Sequence, residues 1–397
     1  MAFFALNTAL LTVTVVAYFI VHFRSIKADR IVSGILFLAF VCMMALRPDT
    51  VGDTLPYMDV FASMDSYRFT LGLGRAVVGT NADMSMEIGF ANLCKLTSLV
   101  SSSYQFFFFV VAFLNVGIGV FSILLISSSM HEGPAVQYRI LPVFLLFISY
   151  YGFWYSGILL RGGLAISFCM LSYALIFRKR YVLALLVYLI AFSFHNSAFI
   201  FLVVIVVYLF FPTGKIRTYR IAAISIIVLY VARFFDLFNA LAVQGARTIA
   251  TRVSFLNFLN YYLSPENYTF RSNGFLKTVL FFMLEFLFLT FCFTDTISKK
   301  QKKNLNVIMV VSIIGGLLGV FPQINRIIDI LFVAVLPLLY SLLIEIPSEE
   351  RFQIGKTLSI RKFPICLISL AVIAFANLVL YSLVAELLWP IVALLFG

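Results

Sequence analysis

Charge is scarce in this chain: only 12% of its 397 residues are charged, against 62% hydrophobic, and the mean hydropathy is +1.05. So few polar side chains cannot coat a soluble globule, which excludes a cytosolic enzyme and predicts a polytopic helical membrane protein. The net charge of +12 sits mostly in short turns between apolar runs, so positive-inside topology explains it and nucleic acid is not expected as a partner. Cysteine is sparse and unpaired. Cys42, Cys94, Cys169, Cys292 and Cys366 are scattered, which excludes a disulfide framework and a cysteine metal motif. The histidines His22, His131 and His195 never fall at i, i+4, so no zinc helix is offered, and neither a metal nor a cofactor is expected. No period repeats between the halves, which speaks against a transporter built on inverted repeats.

What the sequence does have is a succession of apolar spans. The first, Ala2 to Val21, lacks a cleavage site and reads as a retained helix; Arg24, Lys27 and Arg30 put the following loop in the cytoplasm. A second span, Ile31 to Leu46, emerges into a large external loop over 47–104, where Asp49, Asp53, Asp59, Asp65, Asp83 and Glu87 outnumber the bases. Within that loop, Met84 to Val100 is an amphipathic run too short to span. Further spans are expected at Gln105 to Ile126, Ile140 to Trp154, the two arms of a hairpin, Asn196 to Phe211 and Ile221 to Phe235. A second large external loop covers 236–274, and the last spans are Phe275 to Phe293, Leu305 to Val320, a descent to Ile346, and Phe363 to Glu386. The expectation is an all-α polytopic fold of about twelve transmembrane helices in a single integral membrane domain over 1–397.

The hairpin from Tyr155 to His195 organises the rest. Two apolar arms join through Arg178-Lys179-Arg180, and each carries one ionisable residue near its far end. Arg161 is 17 residues from Arg178 and His195 is 15 from Arg180, or about 25 and 22 Å by helical rise. Both therefore sit near the outer edge of a hydrocarbon core about 30 Å thick. An arginine near the bilayer centre costs about 2.5 to 3.5 kcal/mol on insertion scales, so one kept in an apolar helix faces a partner or a wet cavity.

Arg326, in the turn Phe321-Pro322-Gln323-Ile324-Asn325-Arg326, comes to the same depth. Two arginines at one face suit a diphosphate, which the guanidinium fork binds bidentately. Arg161 could instead snorkel, or pair structurally with Asp53 or Glu87; Arg326 could pair with Asp329. His195, with an ordinary pKa near 6.5, can accept a proton at neutral pH or simply hydrogen-bond at a helix end. Asp53 in Gly52-Asp53-Thr54, and Glu87, fit either catalysis or helix capping. Arg247, Arg252 and Arg271 form a solvated basic face or an anionic-headgroup site. Gly72-Leu73-Gly74 follows no strand and makes an improbable phosphate loop. Asn267-Tyr268-Thr269 is a glycosylation sequon that matters only in a eukaryotic secretory setting.

Arg47 through Phe61 with Gly52-Asp53-Thr54 and Tyr57, then Glu87-Ile88-Gly89-Phe90, Leu160-Arg161, Phe194-His195-Asn196-Ser197-Ala198 and Asn325-Arg326 resemble, in that order, the EpsG/Wzy-type polysaccharide polymerases. Where that family often has glutamine after the arginine, this chain has Gly162. The resemblance implies a fold that is GT-C-like in the broad sense. It also implies an enzyme that polymerises undecaprenyl-diphosphate-linked oligosaccharide units, such as those of O-antigen, at the external face of the bacterial inner membrane, beside a chain-length regulator. Arg161, Arg326 and Arg47 would bind the donor diphosphate, and His195 would orient or deprotonate the acceptor hydroxyl. Asp53 or Glu87 would bind sugar hydroxyls or act as base, and Tyr57, Arg247, Arg252 and Arg271 would line the acceptor or headgroup region. An O-antigen ligase, a lipid-linked oligosaccharide flippase and a membrane acyltransferase are the rival readings.

Overall fold

Helices make up most of the chain, as the apolar spans require. The structure, a computed structural model, describes residues 2–22, 25–78, 85–130, 138–232, 234–252, 283–290, 297–318, 329–346, 351–354 and 358–371. It divides into two compact units, Met1–Leu202 and Val203–Gly397. The first contains α1 (Ala2–His22), α2 (Ile26–Ala45), α3 (Thr54–Ala62), the strands β1 (Arg75–Val77) and β2 (Ser85–Glu87), α4 (Ile88–Val100), α5 (Tyr104–Met130), α6 (Ile140–Phe147), α7 (Leu160–Phe177) and α8 (Tyr181–Phe194). Among the described residues, α2, α5 and α7 are long and apolar enough to cross a membrane, and several shorter apolar helices accompany them.

The hairpin forms as its sequence suggests. After α7 the chain turns at once, Lys179 taking a left-handed φ of 59°, and α8 returns alongside. Ser172 Oγ donates to the Ala184 carbonyl at 2.8 Å near the turn. Phe168 and Phe194 stack near the far end with centroids 5.4 Å apart. This pairing brings the start of α7 to the end of α8.

The second and fourth spans depart from expectation. The second begins at Ile26, earlier than the apolar run, because Ser25 caps it by accepting from the Ala28 N–H at 3.1 Å. The buried Asp29 carboxylate in turn accepts from the Ile140 N–H at 2.8 Å, closing the exposed start of α6. The fourth span is not one α-helix to Trp154. It is α-helical only to Phe147, then wound as π-helix over Ile148–Gly152 and Trp154–Ile158. A wider helix leaves backbone groups without their usual partners, and neighbouring helices supply them. Asn115 in α5 donates from Nδ2 to the Tyr155 carbonyl at 2.9 Å and to Ser156 Oγ at 2.8 Å. Arg47, just past α2, donates from Nη1 to the Gly157 carbonyl at 2.9 Å and the Ser156 carbonyl at 3.4 Å. Ser167 in α7 ties the far side of Asn115, its Oγ lying 2.5 Å from Oδ1. A buried polar network is costly unless its members are satisfied, and this one pins the break in a single geometry.

The segment 47–104 is anchored by aromatics. Phe61 of α3 stacks on Phe107 of α5 at 5.3 Å, Phe90 of α4 meets Phe107 edge-on at 5.7 Å, and Tyr57 packs on Phe90 at 5.4 Å. Each such pair adds about 0.5–1.5 kcal/mol beyond burial. The amphipathic helix expected over 84–100 begins at Ile88, its first residues forming β2 instead. β2 pairs antiparallel with β1 in the register Arg75↔Glu87, Ala76↔Met86, Val77↔Ser85.

The second unit takes in most of α9 (Phe201–Phe210), then α10 (Ile216–Val231), α11 (Phe234–Arg252), α12 (Lys299–Leu318) and α13 (Val335–Ile344), with an antiparallel hairpin of β3 (Arg351–Ile354) and β4 (Leu358–Arg361). Side-chain amides hold it together: Asn304 Nδ2 donates to the Ala334 carbonyl at 2.7 Å, and Tyr219 Oη donates to Asn306 Oδ1 at 2.9 Å. The segment 236–274 therefore starts as a continuation of a helix rather than as loop.

Candidate functional site

Arg161 occupies the first turn of α7, directly after the π-helical break. Its Nη1 lies 2.6 Å from Glu87 Oε2 and its Nε donates to Tyr57 Oη at 3.3 Å. Of the two alternatives open for this arginine, the ion pair with Glu87 is the one present. Glu87 is nearly enclosed, with 6% of its side chain exposed, whereas Arg161 keeps 27%. Among the described residues nothing pairs with Nη2 of Arg161, so the guanidinium is held at Nε and Nη1 and open at Nη2.

Each partner arrives by a specific local structure. Glu87 ends β2 and begins α4, yet its side chain does not cap that helix; it turns to Arg161 instead. Gly89 lets α4 approach α8, because a Cβ there would fall 2.2 Å from Ser193 Oγ and 2.8 Å from the Ser193 carbonyl oxygen. Tyr57 is set by its packing on Phe90. Gly163 lets α7 tuck beneath the break, since a Cβ there would lie 2.0 Å from the Tyr155 carbonyl oxygen.

His195 ends α8, half-buried. Its Nδ1 accepts from the Ser197 backbone N–H at 3.1 Å, with Ser197 Oγ at 2.7 Å. A backbone N–H can only donate, so neutral His195 carries its proton on Nε2. Burial alone would push the Glu87 carboxyl up, but the charges of His195 and Arg161 together hold it below the ordinary carboxylate value. Burial raises the Tyr57 phenol, with Arg161 opposing. Glu87 thus sits in a largely dehydrated setting, ion-paired to Arg161 and under the electrostatic influence of His195.

The other sequence candidates fall as follows. Arg47 is 5% exposed, its guanidinium 3.6 Å above the Phe108 ring, and burial pushes it down to about 9, with Tyr57 opposing. Its Nη1 is engaged by the Ser156 and Gly157 carbonyls, while Nε and Nη2 are buried and have no hydrogen-bond partner among the described residues. Asp53 stands exposed at the start of α3 and makes no side-chain cap. Arg247, half-buried, and Arg252, exposed, lie on α11 in the second unit. Arg271, Arg326 and the sequon at Asn267 lie outside the described residues. Sequence reasoning missed Asn115, Ser156 and Ser167, although an amide in the middle of a long apolar run is a signal in its own right, because an unsatisfied amide is expensive in lipid.

A protein-family model described as the EpsG family matches residues 30–391, nearly the whole chain. No curated protein and no solved structure matches it.

Proposed function

Because the chain belongs to the EpsG family, we propose that it is a membrane glycosyltransferase that polymerises undecaprenyl-diphosphate-linked oligosaccharide units, its site facing the exterior of a twelve-span bundle in the inner membrane. The family suggests a polysaccharide polymerase working on a lipid-linked saccharide; the lipid, the orientation and an O-antigen-type product are our finer reading. The observation that carries it is Arg161, held at Nη1 by Glu87 and at Nε by Tyr57 and open at Nη2, at the positive end of an apolar helix. Helix N-termini and guanidinium forks both favour phosphate oxygens.

In the reaction the acceptor sugar hydroxyl attacks the anomeric carbon of the donor chain. The new C–O bond forms as the bond to the diphosphate breaks, and the lipid diphosphate leaves with the negative charge. Arg161 stabilises that charge through its open Nη2, with Arg326 as the expected second cation. A bound diphosphate competes with Glu87 for Arg161. Once part of that guanidinium charge is neutralised, burial raises the basicity of Glu87, and the carboxylate takes the acceptor proton. Asp53, exposed beside Tyr57, serves sugar hydroxyls. His195, protonated on Nε2, acts as a hydrogen-bond donor that orients an oxygen rather than as the base.

The donor assignment separates two variants. His195→Ala is expected to slow chain growth by about 10²–10³, the effect of removing one charge-stabilising donor, whereas His195→Gln, whose amide reproduces an Nε2 donor, should retain most activity. Glycan length on gels after complementation checks this; equal loss in both would make His195 the base. The polymerase reading itself is tested by deleting the gene, which should collapse the surface-glycan ladder to a single repeat unit. Polymer accumulating on its carrier would favour a ligase instead.

A further inference from the structure

Beside the Arg161 site lies an open polar groove to which no role has been given. It has a volume of about 440 Å³ and is lined by Ser66, Tyr67, Arg68, Thr70 and Arg75, within the range of about 300–1,000 Å³ usual for small-molecule sites. The groove is built rather than incidental. Asn92 on α4 acts like a strand partner to its wall: Oδ1 accepts from the Thr70 N–H at 3.3 Å and from Tyr67 Oη at 3.0 Å, while Nδ2 donates to the Thr70 carbonyl at 2.8 Å. Arg75 is fixed by a 2.6 Å bond from Nη2 to the Ser85 carbonyl.

Its charge points to its ligand. Arg68 and Arg75 are both exposed, and among the described residues neither has a carboxylate partner. Two guanidiniums sharing a groove with three hydroxyls match a saccharide carrying a carboxylate, since the fork bonds carboxylates bidentately and the hydroxyl oxygens, which donate within the protein, can accept from sugar hydroxyls. Its position points the same way. Arg75 is the cross-strand neighbour of Glu87, so the groove and the Arg161 pair share one two-stranded hairpin. Phe69, Leu71 and Leu73 stand exposed around it, Leu71 completely, which suits a surface at the level where a lipid-linked sugar leaves the membrane.

We propose that this groove binds an anionic saccharide, a sugar bearing a carboxylate, and holds the glycan portion of a lipid-linked unit beside Arg161. The assignment rests on the polymerase reading for the ligand's origin, but not for the binding itself. The test uses the full-length protein in nanodiscs of neutral phosphatidylcholine, with hexagalacturonate as probe and maltohexaose as neutral control, read by calorimetry. Hexagalacturonate should bind at least tenfold more tightly than maltohexaose, and Arg68→Gln together with Arg75→Gln should remove that preference. Arg68→Gln alone, at an exposed side chain with no structural bond, should weaken binding severalfold without affecting folding. Equal binding of the two probes, or undiminished binding by the double variant, would overturn the proposal. So would complete displacement of the probe by anionic phosphatidylglycerol in the nanodisc, which would make the groove a lipid-headgroup site. Binding by Arg161→Ala should persist. If the groove binds as described while deletion of the gene leaves the surface-glycan ladder intact, the polymerase reading fails and the groove stands.

Discussion

Arg161→Ala should reduce chain growth by at least about a hundredfold, the usual loss when a donor that stabilises leaving-group charge is removed. Arg161→Lys should be nearly as defective. A lysine keeps the charge but presents a single point, and it cannot hold Glu87 and Tyr57 while offering a further fixed donor to a diphosphate. The alanine variant has a second consequence. It strands Glu87, whose side chain is 6% exposed, as a buried carboxylate without its guanidinium, and breaking such a pair costs about 3–5 kcal/mol when both partners are fully buried, less here because Arg161 is partly solvated. Arg161→Ala combined with Glu87→Gln should therefore recover protein level and melting temperature but not activity. Recovery of chain growth in the double variant would mean that the pair is structural and that the diphosphate binds elsewhere.

The second large effect comes from a residue with no side chain. Gly163→Ala would put a Cβ 2.0 Å from the Tyr155 carbonyl oxygen and 2.8 Å from Asn115 Nδ2. The break must shift, and Asn115 loses the carbonyl it was holding. Overpacking and an unsatisfied buried amide together amount to about 2–6 kcal/mol, expected as a large fall in melting temperature and loss of chain growth. Gly162→Ala is the matched control: its Cβ would come no nearer than 3.7 Å to the Tyr155 ring, an ordinary contact, so both readouts should stay near wild type. Equal tolerance of the two alanines would refute the claim that the Tyr155 carbonyl is clamped there.

The parts of this site that were legible in the sequence are those governed by periodicity and length. Two apolar arms around Arg178-Lys179-Arg180 can only fold back on each other, which brings Arg161 and His195 to one end, and Glu87 was a foreseeable partner for a buried arginine. The π-helical break was not legible, because 3.6-residue and wider windings carry the same apolar run. It is fixed by Arg47 and Asn115 from other helices, contacts separated by about 40 and 110 residues of chain. For the same reason Arg47 looked free to take a phosphate, whereas one of its terminal nitrogens is committed to backbone carbonyls. The β1–β2 hairpin was hidden too. Three-residue strands carry almost no pattern, so Gly72-Leu73-Gly74 could be judged only by what precedes it, not by the strand that follows.

The most direct measurement is polymerisation by the purified protein in nanodiscs, supplied with lipid-linked repeat units extracted from a strain lacking the gene and followed by mass spectrometry of the glycans. Dimers, trimers and longer chains are expected, with one free lipid diphosphate released per bond formed, and none of these with Arg161→Ala. Repeat units that remain single with the wild-type protein, while their lipid carrier stays intact, would contradict the polymerase reading.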